Sequence, residues 1–114
     1  MDATFRFSYL PPVAKLTVEG ELDYAAQAQL AWRLRDLEQV ASGIARIDVG
    51  RVNYIDHDCM RLIDDARVRL AQRGIDLEIV SASLCFALVA GLGGFPALAR
   101  QADDARSRQD VVAA

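Results

Sequence analysis

The residues with the greatest chemical reactivity in this chain are its scarcest ones, a single histidine and two cysteines. His57 and Cys59 lie in one short segment, Asp56-His57-Asp58-Cys59, whereas Cys85 lies in an apolar stretch. An imidazole between two carboxylates could sense pH near neutrality, and a thiol at a helix N-terminus could act as a redox sensor. The simpler interpretations are an exposed His57, a packed Cys59 and a Cys85 in the core.

Catalysis and metal binding have little support in these residues. No serine lies near His57 in the sequence to form a nucleophile–base pair, so we expect no enzyme. Unpaired cysteine spacing excludes zinc fingers and most sites built from side-chain nitrogen and sulfur. Asp23, Asp56 and Asp58 could hold Mg²⁺ as in phosphoacceptor receiver domains, but the lysine that such domains need after a late strand is missing, since Lys15 is the only lysine. We predict no cofactor and no metal.

The overall composition is that of one globular domain. The 114 residues carry 13 Lys and Arg against 16 Asp and Glu, a formal net charge of −3, and 53% are hydrophobic. A nucleic-acid-binding protein would need clustered Lys and Arg, so we exclude that class. The N-terminus has no signal-peptide pattern and the cysteines are isolated, which predicts a cytoplasmic protein. The uncharged stretch 79–99 could cross a bilayer by length, but its turn residues predict a strand, a short buried helix and a loop.

Hydrophobic periodicity predicts strands that alternate with helices. The strands are expected over 4–9, 13–18, 44–49 and 76–80, with a further short extended segment over 52–55. Gly20 and Gly50 are expected to end the second and third strands. The helices are expected over 24–41, from about 58 to 73, and from 84 to about 91. Residues 100–114 form either a last amphipathic helix or a frayed tail. This alternation indicates an α/β fold with a largely parallel sheet.

Several short motifs, in a fixed order, resemble one protein family. Gly20-Glu21-Leu22-Asp23 precedes the first long helix, and the stretch 47–59 precedes the second. Gly74-Ile75-Asp76 and then Ala90-Gly91-Leu92 follow. Their order and spacing over about residues 13–95 are similar to those of a STAS domain of the bacterial anti-sigma factor antagonist type. The resemblance implies one STAS-like domain across residues 1–114, with a mixed, mostly parallel sheet and helices packed mainly on one face.

The resemblance also implies a partner-switching function. In that family the antagonist binds an anti-sigma factor, often a serine kinase, until a serine at the start of the second helix is phosphorylated. The family's loop, Asp-Ser-Ser-Gly, aligns with Asp56, His57, Asp58 and Cys59, so Asp58 replaces the phosphorylated serine. Asp58 has no hydroxyl and carries about one negative charge, where phosphoserine would carry about −1.5 to −2. Partner binding is then either weakened by a phosphoserine-like charge or constitutive.

The expected partner surface consists of Asp23, Asp56, His57, Asp58 and Cys59, and the expected partner is an anti-sigma factor or a related serine kinase. Homodimer formation is left open. Asp58 and Asp23 also have a structural interpretation, as the N-caps of the second and first helices. Two further functional classes stay open, namely a STAS-type regulatory subunit of a transporter complex and a nucleotide or small-molecule sensor.

Overall fold

The computed structural model describes residues 2–113, with side chains described for residues 2–109. The strands are β1 (Thr4–Leu10), β2 (Val13–Leu22), β3 (Ile44–Ile55) and β4 (Leu77–Ala82). The helices are α1 (Gln27–Val40), α2 (His57–Gln72), α3 (Leu84–Leu92) and α4 (Pro96–Ala113). A 3₁₀ turn, Tyr24–Ala26, leads into α1.

The strands form one mixed sheet in the order β1-β2-β3-β4. β1 pairs antiparallel with β2, whereas β2–β3 and β3–β4 are parallel. Along β2, buried and half-buried residues alternate, and Ala14, Leu16, Val18 and Leu22 are fully buried. β3, β4 and all four helices supply the other buried residues of the same core. This confirms the predicted α/β class, with a mostly parallel mixed sheet.

Two strands are longer than predicted, because two glycines lie inside strands and do not end them. Gly20 has φ of 96°, and a Cβ there would lie 2.5 Å from the Asp2 carbonyl oxygen. The β2–β3 register shifts beside it, so Gly20 accommodates an irregularity within the strand. A Cβ on Gly50 would collide with the Ser81 Oγ of the neighbouring strand. The predicted ends at Gly20 and Gly50 are therefore wrong, and the extended segment 52–55 is part of β3.

The ends of α3 place an aromatic side chain near the start of α2. Ser83 caps the helix, because its Oγ accepts a hydrogen bond from the Phe86 N–H at 3.1 Å. At the other end Gly94 has φ of 84°, and the Phe95 N–H donates to the Ala90 carbonyl at 3.0 Å. This bond closes a Schellman-type turn and folds the chain back on itself. Phe95 is consequently 6% exposed.

α3 is buried on one side only. Phe86 and Ala90 are fully buried, whereas Leu84, Leu88 and Leu92 are more than half exposed. The prediction of a buried helix is therefore right for one face and wrong for the other. None of the described helices combines the length and the apolar character that a bilayer crossing requires.

α4 lies along the free edge of β4 and satisfies its backbone through side chains. The Gln101 Oε1 accepts a hydrogen bond from the Ile79 N–H at 2.9 Å, and its Nε2 donates to the Leu77 carbonyl at 3.0 Å. Further along the helix, the Gln109 Oε1 accepts from the Ala82 N–H at 3.2 Å. This helix thus takes the position at which a fifth strand would pair.

Candidate partner-binding site

The segment from Asp56 to Cys59, called the switch loop below, connects the end of β3 to the first turn of α2. Asp56 is the N-cap of the helix, because its Oδ1 accepts a hydrogen bond from the Cys59 N–H at 2.8 Å. The Asp56 N–H donates to the Leu22 carbonyl at 3.0 Å, which ties the loop to the end of β2. The loop is therefore held by two parallel strands and by its own helix.

Asp58 is exposed in the first turn of α2, and its interpretation as the N-cap is wrong because Asp56 fills that position. Its Oδ2 accepts a hydrogen bond from the Gln27 Nε2 at 3.4 Å. A negative charge in the first turn is also stabilised by the helix dipole. Asp58 thus presents an oriented carboxylate to solvent. The sequence does not predict a contribution from Gln27, because its hydrogen bond joins α1 to a residue of α2.

Asp23 lies beside the switch loop, as the resemblance implies. It precedes the 3₁₀ turn, but its side chain accepts no capping hydrogen bond from the described backbone, so the capping interpretation is wrong. Its carbonyl oxygen accepts hydrogen bonds from the Ala26 N–H at 3.0 Å and from the Cys59 Sγ at 3.5 Å. The backbone of Asp23 therefore joins the entry of α1 to the first turn of α2.

Cys59 is fully buried beneath this surface. Burial, hydrogen bonding with Asp56 and the negative charges of Asp56, Asp23 and Asp58 raise the pKa of its thiol to about 12. The thiol therefore stays protonated at physiological pH, which contradicts the redox-sensor interpretation and agrees with the packed one. Its side chain supports the switch loop from below. The second thiol, Cys85, is half-buried and packs against the core without lying wholly inside it.

His57 is exposed as the first residue of α2 and rests on the turn between α3 and α4. Its ring lies against Phe95, with ring centroids 5.0 Å apart and planes inclined by 48°. The Arg61 guanidinium lies 5.8 Å from the centroid of the same Phe95 ring. The switch loop is thereby anchored to a distant part of the chain. No sequence pattern singles out Phe95, because its contact with His57 joins residues that are far apart in the chain.

Two exposed tyrosines lie near residues of this site in the sequence. Tyr24 follows Asp23 and is 83% exposed, and Tyr54 lies near the end of β3 and is 49% exposed. Aromatic side chains with a polar tip are enriched at protein–protein interfaces. Among the described residues, no group of three or more His, Cys, Asp and Glu side chains is arranged to hold a metal ion. The site thus presents an exposed carboxylate, Asp58, together with exposed aromatic side chains.

Comparisons with known proteins agree on the fold. A family model described as the STAS domain matches residues 9–95. Similar solved structures include the anti-sigma factor antagonist SpoIIAA in its unphosphorylated form, with 17% identity and a TM-score of 0.69 over 86% of this chain and 84% of that one. The STAS domain of an antisigma-factor antagonist from Rhodobacter sphaeroides has 21% identity and a TM-score of 0.57, over 73% of this chain and 94% of that one. A search of the curated proteins finds no match.

Proposed function

Because the chain belongs to the STAS domain family, we propose that it is a non-catalytic partner-binding protein of the anti-sigma factor antagonist type. Its partner is an anti-sigma factor or a related serine kinase. The observation that carries this proposal is the exposed Asp58 carboxylate in the first turn of α2, oriented by Gln27 at 3.4 Å. The family's phosphorylated serine would stand at this position.

The surface around Asp58 supports binding to a basic protein face. Three aspartates surround the buried Cys59: the Asp23 carbonyl accepts a hydrogen bond from its Sγ, the Asp56 carboxylate accepts one from its N–H, and Asp58 precedes it in α2. Complementary charges on a partner speed association and set the orientation of the complex. The exposed Tyr24 beside Asp23 adds apolar contact area with a polar tip.

We expect that phosphorylation does not regulate partner binding in this protein, which therefore stays able to bind. Asp58 offers no hydroxyl to a serine kinase, so phosphorylation cannot end the complex at this position. Its single charge is stabilised by the helix N-terminus and by Gln27, whereas phosphoserine would add more charge and a third oxygen. We therefore expect constitutive binding, and binding weakened by a phosphoserine-like charge is the competing outcome.

The test uses purified anti-sigma factors encoded in the same genome, with binding measured by calorimetry before and after addition of ATP and Mg²⁺. The wild type should bind one of them and remain bound in ATP. Asp58→Ser should also bind, but ATP should release it, and intact-mass spectrometry should detect one added phosphate. The matched control is Asp65→Ser, an exposed aspartate further along α2, which should behave as the wild type.

The other outcomes separate the alternatives. Binding by Asp58→Ser alone would show that Asp58 acts as a phosphoserine mimic in the wild type. No binding of either form to any of the anti-sigma factors would overturn the proposed function.

A further inference from the structure

The two edges of the sheet differ in whether their backbone groups are covered. The edge of β4 is closed by side chains of α4, with Gln101 satisfying both the Ile79 N–H and the Leu77 carbonyl. At the other edge, β1 pairs with β2 on one side, and no described segment lies along its outer side. The backbone groups that point outward from β1 are therefore open to another strand.

β1 has few of the features by which sheet edges usually resist pairing, and Arg6 is its only charged residue. Its seven residues contain no lysine and no proline, and their register with β2 runs from Thr4 to Leu10 without a bulge. Phe7 and Tyr9 lie opposite Leu16 and Ala14 of β2, hence on the helix-bearing face, and are 37% and 41% exposed. β1 thus combines an open backbone edge with partly uncovered aromatic side chains.

We propose that β1 pairs antiparallel with β1 of a second copy of this chain, about a twofold axis at Phe7. The two four-stranded sheets would then continue into one another. In this register Phe7 faces its own copy, and Phe5 faces Tyr9 on the same side of the sheet. Aromatic cross-strand pairs of this kind stabilise antiparallel pairing. This interaction is separate from the proposed function and does not depend on it.

The charge pattern of β1 favours this register. Arg6 is the only charged residue of the strand, and pairing about Phe7 places it opposite Ser8 of the second copy. The two arginines are therefore not placed opposite each other, and like charges directly opposite would destabilise the pair. A twofold pairing satisfies the same backbone groups in both copies, so the contact closes as a dimer.

The helices leave room for this dimer. α1 packs against α2 and, among the strands, chiefly against β2 and much less against β1. In a continuous sheet the two β2 strands would be three strand spacings apart, about 14 Å. Helices pack at about 8–10 Å, so the two α1 helices can lie side by side above the joined sheets.

The first experiment is sedimentation velocity on the full chain over a wide concentration range. The wild type should show a concentration-dependent monomer–dimer equilibrium. Phe7→Lys places two ammonium groups opposite each other at the twofold axis and should make the protein monomeric. The matched control is Leu88→Lys, which adds the same charge at a leucine of α3 that is 53% exposed, and it should remain dimeric.

The second experiment tests the register through charge. Ser8→Glu creates two cross-strand pairs with Arg6 and should tighten the dimer by about two- to thirty-fold, whereas Ser8→Arg should weaken it. Because Ser8 also lies opposite Lys15 within one copy, urea unfolding of both variants shows whether they are folded. A wild type that stays monomeric at its highest soluble concentration overturns the proposal. A dimer that survives Phe7→Lys, or that responds equally to both Ser8 variants, also overturns it.

Discussion

Asp56 and Asp58 have the same side chain and lie two residues apart, yet they act differently. Asp56 precedes the first helical residue, so its carboxylate can accept the hydrogen bond from the Cys59 N–H. Asp58 lies within the helix, where its side chain points to solvent and contacts Gln27. Asp56 therefore stabilises the start of α2, whereas Asp58 contributes a charged side chain to the protein surface.

We expect Asp56→Ala to lower the free energy of unfolding by about 0.5–2 kcal/mol, because the capping hydrogen bond is lost. Asp56→Asn should retain most of the stability, since asparagine caps nearly as well. Asp58→Ala should change stability by no more than about 0.5 kcal/mol, as expected for an exposed residue. Urea unfolding measures all three values. A larger loss for Asp58→Ala than for Asp56→Ala would contradict the assignment of the cap.

At the scale of the elements, α4 is important because it closes a sheet edge without adding a strand. Its buried face contains Leu98, Ala102 and Ala105, and the two alanines keep the helix close to its neighbours. The glutamine side chains can therefore reach the backbone of β4. This explains why one edge of the sheet is protected and the β1 edge is not.

Gln101→Ala removes both hydrogen bonds to β4 and should cost about 1–3 kcal/mol of unfolding free energy, at about 0.5–1.5 kcal/mol for each bond. The Ile79 amide should exchange with deuterium faster in this variant, whereas the Ile47 amide in the central strand should follow global unfolding. Gln39→Ala on the exposed face of α1 is the control and should change neither. Unchanged exchange at Ile79 would contradict a protective function of α4.

At the scale of the whole molecule, the candidate partner surface and the proposed dimer contact involve different parts of the sheet. The switch loop lies at the carboxyl ends of β2 and β3, whereas the open edge of β1 runs along one side of the sheet. One copy has a Cα radius of gyration of 13.0 Å. Side-by-side pairing of two sheets would lengthen the particle.

Small-angle X-ray scattering should therefore give a radius of gyration close to 13.0 Å at high dilution and a larger value as concentration rises. For Phe7→Lys the value should stay near that of one copy at every concentration, because the charged pair blocks strand addition. If the wild type and Phe7→Lys show the same concentration dependence, any association must use another surface.

The fold class and the position of the switch loop follow from the sequence alone. Alternating strands and helices have local hydrophobic periods, which are visible without a structure, and the order of the family motifs placed Asp58 at the start of α2. The strand ends predicted at Gly20 and Gly50 are wrong. A glycine can end a strand or can allow a neighbouring atom to approach closely within one, and the sequence does not distinguish the two cases.

Tertiary structure decided which aspartate caps the helix, which residues orient the loop and which sheet edge stays open. Gln27 and Phe95 reach the loop from other elements, and their contacts depend on how α1 and α3 pack. The side-chain bonds of Gln101 depend on the path of α4 beside β4. Such contacts join residues far apart in the chain, so no local pattern encodes them.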